Sequence, residues 1–300
     1  MSNQALFHLR TLWLFTKSDF KTVIFPQTVF GIVVALSGPL LTSNPAPKTC
    51  EVLRNLPKTI LWLWLNLLNE VVSNQRLPGS IVEDSVNKPW RPLPTQRMTS
   101  NTARKLLLCA IPTIYIASLL LGGTEASMKL MVFSHMYNEL DGANENWLIR
   151  NVLNACGLSC FSVGAAVTAT GFGDYTLQRE VYVWISLLAV VIATTVQIQD
   201  LPDIEGDRRR NRKTMPLVYG HVATRWSVSI TIMFWSIFCC TYWDLDSVCY
   251  LPCMLIGISI AVRTLVMQTQ DADEGTWKLW CLWMMILYSL PLMRTTPRHL

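Results

Sequence analysis

Charge is scarce in this sequence. Only 15% of its 300 residues are Asp, Glu, Lys or Arg, and these cluster, so long stretches carry none and an ordinary solvated surface is excluded. Metal-type cysteine spacing is also missing. Among nine Cys, the pairs Cys156/Cys160 and Cys249/Cys253 lie four apart on one helix face, but no His or further Cys stands at zinc spacing beside them. Cys109, Cys239, Cys240, Cys253 and Cys281 therefore read as small apolar fillers. No basic stripe interleaved with stacking aromatics occurs, so nucleic acid is not an expected partner despite the net charge of +5. The N-terminus has no short apolar run followed by a small-residue cleavage site, which predicts that no signal peptide is removed.

What is there is hydrophobic. A 51% apolar composition and a mean hydropathy of +0.31 predict an integral membrane protein whose partner is the lipid bilayer. Paired backbone groups in hydrocarbon require helices, so the expected fold class is all-α. Nine spans are predicted, near residues 23–41, 59–73, 105–122, 125–141, 151–171, 181–199, 224–243, 248–267 and 277–293. The second, fourth and fifth are shorter or more polar than the rest, as expected of helices that line a site. Lys and Arg gather before the first span, after the second (Arg76 to Lys105) and after the sixth (Arg208 to Arg225). With nine spans these segments share one side, which the positive-inside rule makes cytoplasmic. The tail RTTPRHL places Arg294 and Arg298 on the other side.

Two of the charged connections resemble each other. EDSVNKPWRPLP runs Asp84, Asn87, Lys88, Pro89, Arg91, and GDRRRNRKTMP runs Asp207, Asn211, Arg212, Lys213, Pro216. The repeat predicts two pseudo-repeated halves facing one another across a central cavity.

The second connection carries the clearest chemistry. Asp200, Asp203 and Asp207, spaced three and four apart, fall on one face if the segment is helical. Such a face suits hard divalent cations; Mg²⁺ takes oxygen ligands and pairs carboxylates with substrate phosphate. Beyond it, Arg208, Arg209, Arg210, Arg212 and Lys213 suit a diphosphate, or else the head groups of anionic lipid. The first connection is poorer in acids. Asn74 and Asp84 are candidate metal ligands there, but Pro78 and Gly79 should break the helix between them, so they meet only if the chain turns.

DSVNKPWRPLP together with DLPDIEGDRRRNRKTMP resembles the UbiA superfamily of intramembrane prenyltransferases, whose hallmarks are an aspartate-rich segment ending D-x-x-N-K-P-x-R-P and a second with D-x-x-D-x-x-G-D. The matching residues are Asp84, Lys88, Arg91, Asp200, Asp203, Asp207 and Lys213. The resemblance implies a nine-helix bundle over residues 1–300 as a single domain. It also implies two Mg²⁺ held by Asn74, Asp84, Asp200, Asp203 and Asp207, and a prenyl diphosphate gripped by Lys88, Arg91, Arg212 and Lys213. One departure stands out: the usual first motif has an acid four residues before Asp84, where this chain has Ser80. In that respect, and in LFTKSDFKTVIFPQTVFG and MYNELDGANENWLIRNVLNA, the chain is similar to fungal UbiA-type terpene cyclases. That likeness implies cyclisation of farnesyl diphosphate in the endoplasmic reticulum membrane.

A cyclase and a transferase both begin by expelling diphosphate, and they differ in what captures the cation. Trp62, Trp64, Phe133, Tyr137, Phe161, Trp184 and Trp235 lie in predicted spans, where they either stabilise a cation through their π faces or simply pack. Tyr137 is the candidate catalytic residue among them. His135, Asn138, Glu139, Asn151 and Asn154 are costly in lipid unless they face a cavity, so His135, Asn138 and Asn154 are expected to line it. His135 reads either as a late base or as a satisfied structural residue. A transporter would spread its acids through the membrane depth; here they gather at helix ends on one side.

Overall fold

Backbone groups in hydrocarbon must bond within their own segment, and the chain solves this with helices. Among residues 3–294, which the computed structural model describes, no strand forms beyond an isolated bridge between Thr42 and Leu177. The long elements are α1 (Asn3–Leu36), α2 (Thr49–Gln75), α3 (Pro78–Asn87), α4 (Ser100–Leu121), α5 (Thr124–Asn138), α6 (Trp147–Thr170), α7 (Arg179–Asp200), α8 (Ile204–Arg209), α9 (His221–Tyr242), α10 (Ser247–Val266) and α11 (Gln270–Ser289).

Each predicted span falls on one of these helices, but six of them are long and apolar enough to cross a membrane: α1, α4, α6, α7, α9 and α10. The count of nine is not reached by that measure. Helix α2 spends its inward face on Asn66, Asn69 and Gln75, and α5 is 15 residues long. Helix α6, more polar than most of the predicted spans, qualifies; α11 opens with Asp271 and Asp273 and does not. Of the basic tail, Arg298 lies outside the described residues.

Position in the bundle follows the apolar pattern. In α4 only 17% of the spanning window is buried, and Ile116, Leu119 and Leu120 face outward, as lipid-facing side chains do. In α6 the share is 56%, which makes it a central helix. Small residues let its neighbours close in: a Cβ on Gly31 of α1 would stand 2.8 Å from the Ala165 carbonyl oxygen.

The buried apolar side chains form two main clusters, and α1 adds Phe30 and Val34 to the second of them. One joins Phe15, Leu63, Leu67, Val72, Leu107 and Leu130 from α1, α2, α4 and α5. The other joins Val181, Trp184, Val228, Ile232 and Trp283 from α7, α9 and α11. Helix α6 serves both, giving Phe161 to the first and Ala155 and Ala166 to the second. Between the halves a cavity of about 560 Å³ opens at the end where the charged connections lie.

Candidate active site at the mouth of the bundle

The first charged connection takes its shape from proline. Leu77 is extended (φ −72°, ψ 142°), as the residue before Pro78 must be, and α3 starts anew at Pro78. The break expected between Asn74 and Asp84 is therefore present. Helix α3 then turns Ser80, Glu83 and Asn87 to one face by three-and-four spacing, toward the second connection.

The second connection departs from expectation. The last turn of α7 tightens to 3₁₀ over Val196–Asp200, Pro202 cannot continue the ladder, and α8 begins at Ile204. Asp200, Asp203 and Asp207 thus do not share one regular helix face. Asp203 lines the cavity, whereas Asp200 and Asp207 are buried behind its wall, as Asp84 is on the opposite side.

Ion pairs knit the two connections together. Lys88 Nζ lies 2.9 Å from Asp203 Oδ2. Asn87 donates to the Asp203 carbonyl (3.1 Å) and accepts from Gly206 N–H (3.2 Å). Glu83 receives Arg210 at 3.0 Å and Arg212 at 3.1 Å, and Arg210 also donates to Ser80. Ser80, standing where an acid was expected, so becomes part of a guanidinium cradle. Arg91 donates to Asp84 (2.7 Å) and to Ser18 (2.9 Å). Arg150 donates to Asp200 at 2.7 Å and also to the Tyr137 hydroxyl.

These pairings leave several carboxylate oxygens without partners. Asp84 Oδ2, Asp200 Oδ2 and both oxygens of Asp207 are buried with no hydrogen bond; Arg212 Nε stands 3.7 Å from Asp207. Burial pushes the Asp207 carboxyl up to about 7, with the neighbouring Asp200 charge adding to it against Arg150 and Arg212. Burial likewise raises Asp84 against the pull of Arg91. Glu83 goes the other way: burial opposes its charge, but Arg212 and Arg210 hold it below the usual carboxylate range. Among the described residues, no three His, Cys, Asp or Glu side chains already form a metal cluster. The donor chemistry nevertheless fits a hard divalent cation, because the orphaned atoms are carboxylate oxygens and such oxygens are costly to leave buried alone.

Three helices grade the cavity from polar mouth to apolar floor. Helix α2 runs from Leu67 and Val71 to Asn74, and α5 from Leu130 and Phe133 to Tyr137; α6 runs the other way, from Arg150 to Phe161. Under the floor, Trp62 is fully buried and meets Phe161 edge-on at 6.4 Å. The mouth is roofed by a part of α1 in which 3₁₀ and π turns replace regular helix. There Lys17 sits over the Trp90 ring and Lys21 pairs with Glu274.

Of the expected site residues, Asn74, Lys88, Arg91, Tyr137, Asn154, Asp203 and Arg212 line this cavity. Asn138 stands one layer back, bonded to Asn74 and Ser134. Two expectations fail on position. His135 is exposed on the outer side of α5, opposite to the inward Ser134, and Lys213 is exposed beyond the buried Arg212. Arg150, Glu70, Gln199 and Trp277 line the cavity without having been picked out as site residues. A lone Arg at the very start of an apolar span was the available signal for Arg150. Trp184 stacks on Tyr242 in the second cluster, away from the cavity.

The UbiA prenyltransferase family model matches residues 31–290. The chain is 30% identical over 235 residues to the fumagillin beta-trans-bergamotene synthase of Aspergillus fumigatus, covering 78% of this chain and 75% of that protein. It is 32% identical over 213 residues to the somaliensene A/B synthase of Streptomyces somaliensis, covering 71% and 66%. A digeranylgeranylglyceryl phosphate synthase of Methanopyrus kandleri is 32% identical over 161 residues, half of this chain and 55% of that one. A solved structure of a UbiA homolog from Archaeoglobus fulgidus, bound to DMAPP and Mg²⁺, superposes with a TM-score of 0.61 at 9% identity, over 94% of this chain and 99% of that one.

Proposed function

The chain belongs to the UbiA prenyltransferase family of integral membrane proteins, and from that premise we propose that it is a membrane terpene cyclase that ionises and closes a prenyl diphosphate, farnesyl diphosphate first among them. The observation that carries this reading is the pairing of a doubly charged mouth with an apolar floor in one cavity. The mouth offers Lys88, Arg91, Arg150 and Arg212 to a diphosphate. The floor offers Phe133, Phe161, Leu130 and Leu158 to a hydrocarbon chain. The likeness to two terpene synthases over most of the chain supports cyclisation as the outcome.

Asp84, Asp200, Asp203 and Asp207, with the Asn74 carbonyl, are the groups that would hold Mg²⁺, two ions on our reading. When bound, the metal supplies charge neutralisation to the leaving diphosphate. The chain's own residues do the rest. Lys88 and Arg212 bind the diphosphate oxygens, and Arg91 and Arg150 fix the carboxylates of Asp84 and Asp200 while facing the same space. The allylic C–O bond breaks with its electron pair leaving on oxygen. A double bond of the same chain supplies electrons to the cation, and loss of one proton gives a neutral hydrocarbon. Tyr137, Phe133 and Phe161 present ring faces or edges to that cation, while the closed floor excludes water. We read residues 1–300 as one domain, supported by the extent of the family match and by α6 serving both halves. The excess of Lys and Arg in the site connections supports a cytoplasmic mouth, which we assign to the endoplasmic reticulum membrane.

The second reading, transfer to an acceptor, is favoured by the relative from Methanopyrus kandleri. Membranes containing the protein, given Mg²⁺ and farnesyl diphosphate without acceptor, separate the two. A cyclic hydrocarbon in the extract supports the cyclase, and product only after an aromatic acceptor is supplied supports the transferase.

A further inference from the structure

Helix α6 shows the cavity a stripe at three-and-four spacing: Arg150, Leu153, Asn154, Gly157, Leu158 and Phe161. At 1.5 Å per residue the stripe covers about 16 Å of helix axis. Its charged end meets Asp200 at the mouth, and its aromatic end meets Trp62 at the floor. Midway stands a glycine, the residue least at home in a helix interior after proline.

The same helix explains one glycine and not the other. Two turns further along, a Cβ on Gly164 would lie 1.9 Å from the Trp62 ring, so packing demands its absence. At Gly157 a Cβ would meet nothing closer than Leu130 Cδ1, at 3.8 Å, an ordinary contact. Neither crowding nor a left-handed backbone calls for glycine there. What the missing side chain leaves is room in the cavity wall, beside Leu130 and just before Phe161.

We infer that Gly157 sets the length of prenyl chain the enzyme accepts. The chain runs from the diphosphate site along the wall where Gly157 adjoins Leu130, and its far isoprene unit lies against Phe161. A side chain at position 157 stands out from that wall into the cavity and narrows the way to the floor, so the longer substrates lose their place while the shortest keeps its own. This rests on reading the cavity as a prenyl diphosphate site.

The test compares the native protein with Gly157→Ala and Gly157→Leu. Thermal shifts report binding of the non-reacting thiolodiphosphate analogues of geranyl, farnesyl and geranylgeranyl diphosphate, and diphosphate release reports turnover of the substrates themselves. Because one methylene of pocket space is worth about tenfold to 200-fold in discrimination, Gly157→Leu should weaken the longest accepted chain relative to geranyl by about tenfold or more, with Gly157→Ala between. If Gly157→Leu does not fold, the ordering in Gly157→Ala carries the test. Length ratios that match the native protein in both variants overturn the inference, whatever happens to overall activity. Absence of turnover by the native protein with intact length-dependent binding counts against the proposed reaction and not against this inference; absence of binding by every analogue overturns both.

Discussion

Lys88 Nζ stands 2.9 Å from Asp203 Oδ2, joining the two charged connections across the mouth of the cavity. Burial opposes the Lys88 charge, and the Asp203 carboxylate more than restores it, holding the ammonium above its ordinary range. The two groups that the proposed function assigns to diphosphate and to cation therefore neutralise each other here. On the proposed function, binding of both ligands would give each group a new partner and part this pair.

Lys88→Met removes one charge-assisted grip on the diphosphate, worth about 1.5–3 kcal/mol. The expected result is a fall in kcat/KM for farnesyl diphosphate of about 10- to 100-fold, measured by steady-state diphosphate release. An unchanged kcat/KM would remove Lys88 from the site.

Asp207 keeps a buried carboxylate whose oxygens make no hydrogen bond. Replacing the charge should help the fold and harm the chemistry. Asp207→Asn removes the buried charge that faces Asp200, and is expected to raise stability in chelator and to abolish turnover. Thermal unfolding with and without Mg²⁺ checks this; the native protein should gain more from Mg²⁺ than the variant does.

Asn87 and Gly206 form the seam between the connections. A Cβ on Gly206 would fall 2.2 Å from Asn87 Nδ2, so Gly206→Ala must displace the Asn87 side chain and both of its hydrogen bonds. Gly206→Ala should cost about 1–3 kcal/mol by overpacking. The double variant with Asn87→Ala should cost less than the sum of the two single changes, and additive losses in a double-mutant cycle would show that the residues act independently.

Arg150 and Asp200 form a buried pair in which both partners are almost fully enclosed. Arg150→Met strands the carboxylate and should destabilise by about 3–5 kcal/mol. Asp200→Asn in the same chain should recover much of that stability in thermal unfolding, with no recovery of turnover.

How far the sequence alone discloses this site depends on contrast. Asp84, Lys88, Arg91 and Asp203 are legible because charge at the end of an apolar run has few explanations. The floor is not. Gly157, Leu158 and Phe161 face the cavity while Val152 on the same helix faces outward, and all suit an apolar span equally well. His135 looked inward by the cost of a polar group in lipid, yet it sits on the outer face of a short helix near its polar end. The single helix face expected for Asp200, Asp203 and Asp207 fails at Pro202, whose effect on spacing was available in the sequence. Length and apolarity alone mark six spans and leave α2, α5 and α11 out, because α2 and α11 turn polar residues inward and α5 is short.

On the proposed function, this cavity ionises a prenyl diphosphate through its acidic connections. Its most direct test is release of inorganic diphosphate from farnesyl diphosphate in Mg²⁺, with no acceptor present, by the native protein and by Asp203→Ala. Release by the native protein that chelator stops is expected, with a loss of at least about a hundredfold in Asp203→Ala while the variant stays folded and inserted. Equal release by both proteins, or none by the native one, would contradict it.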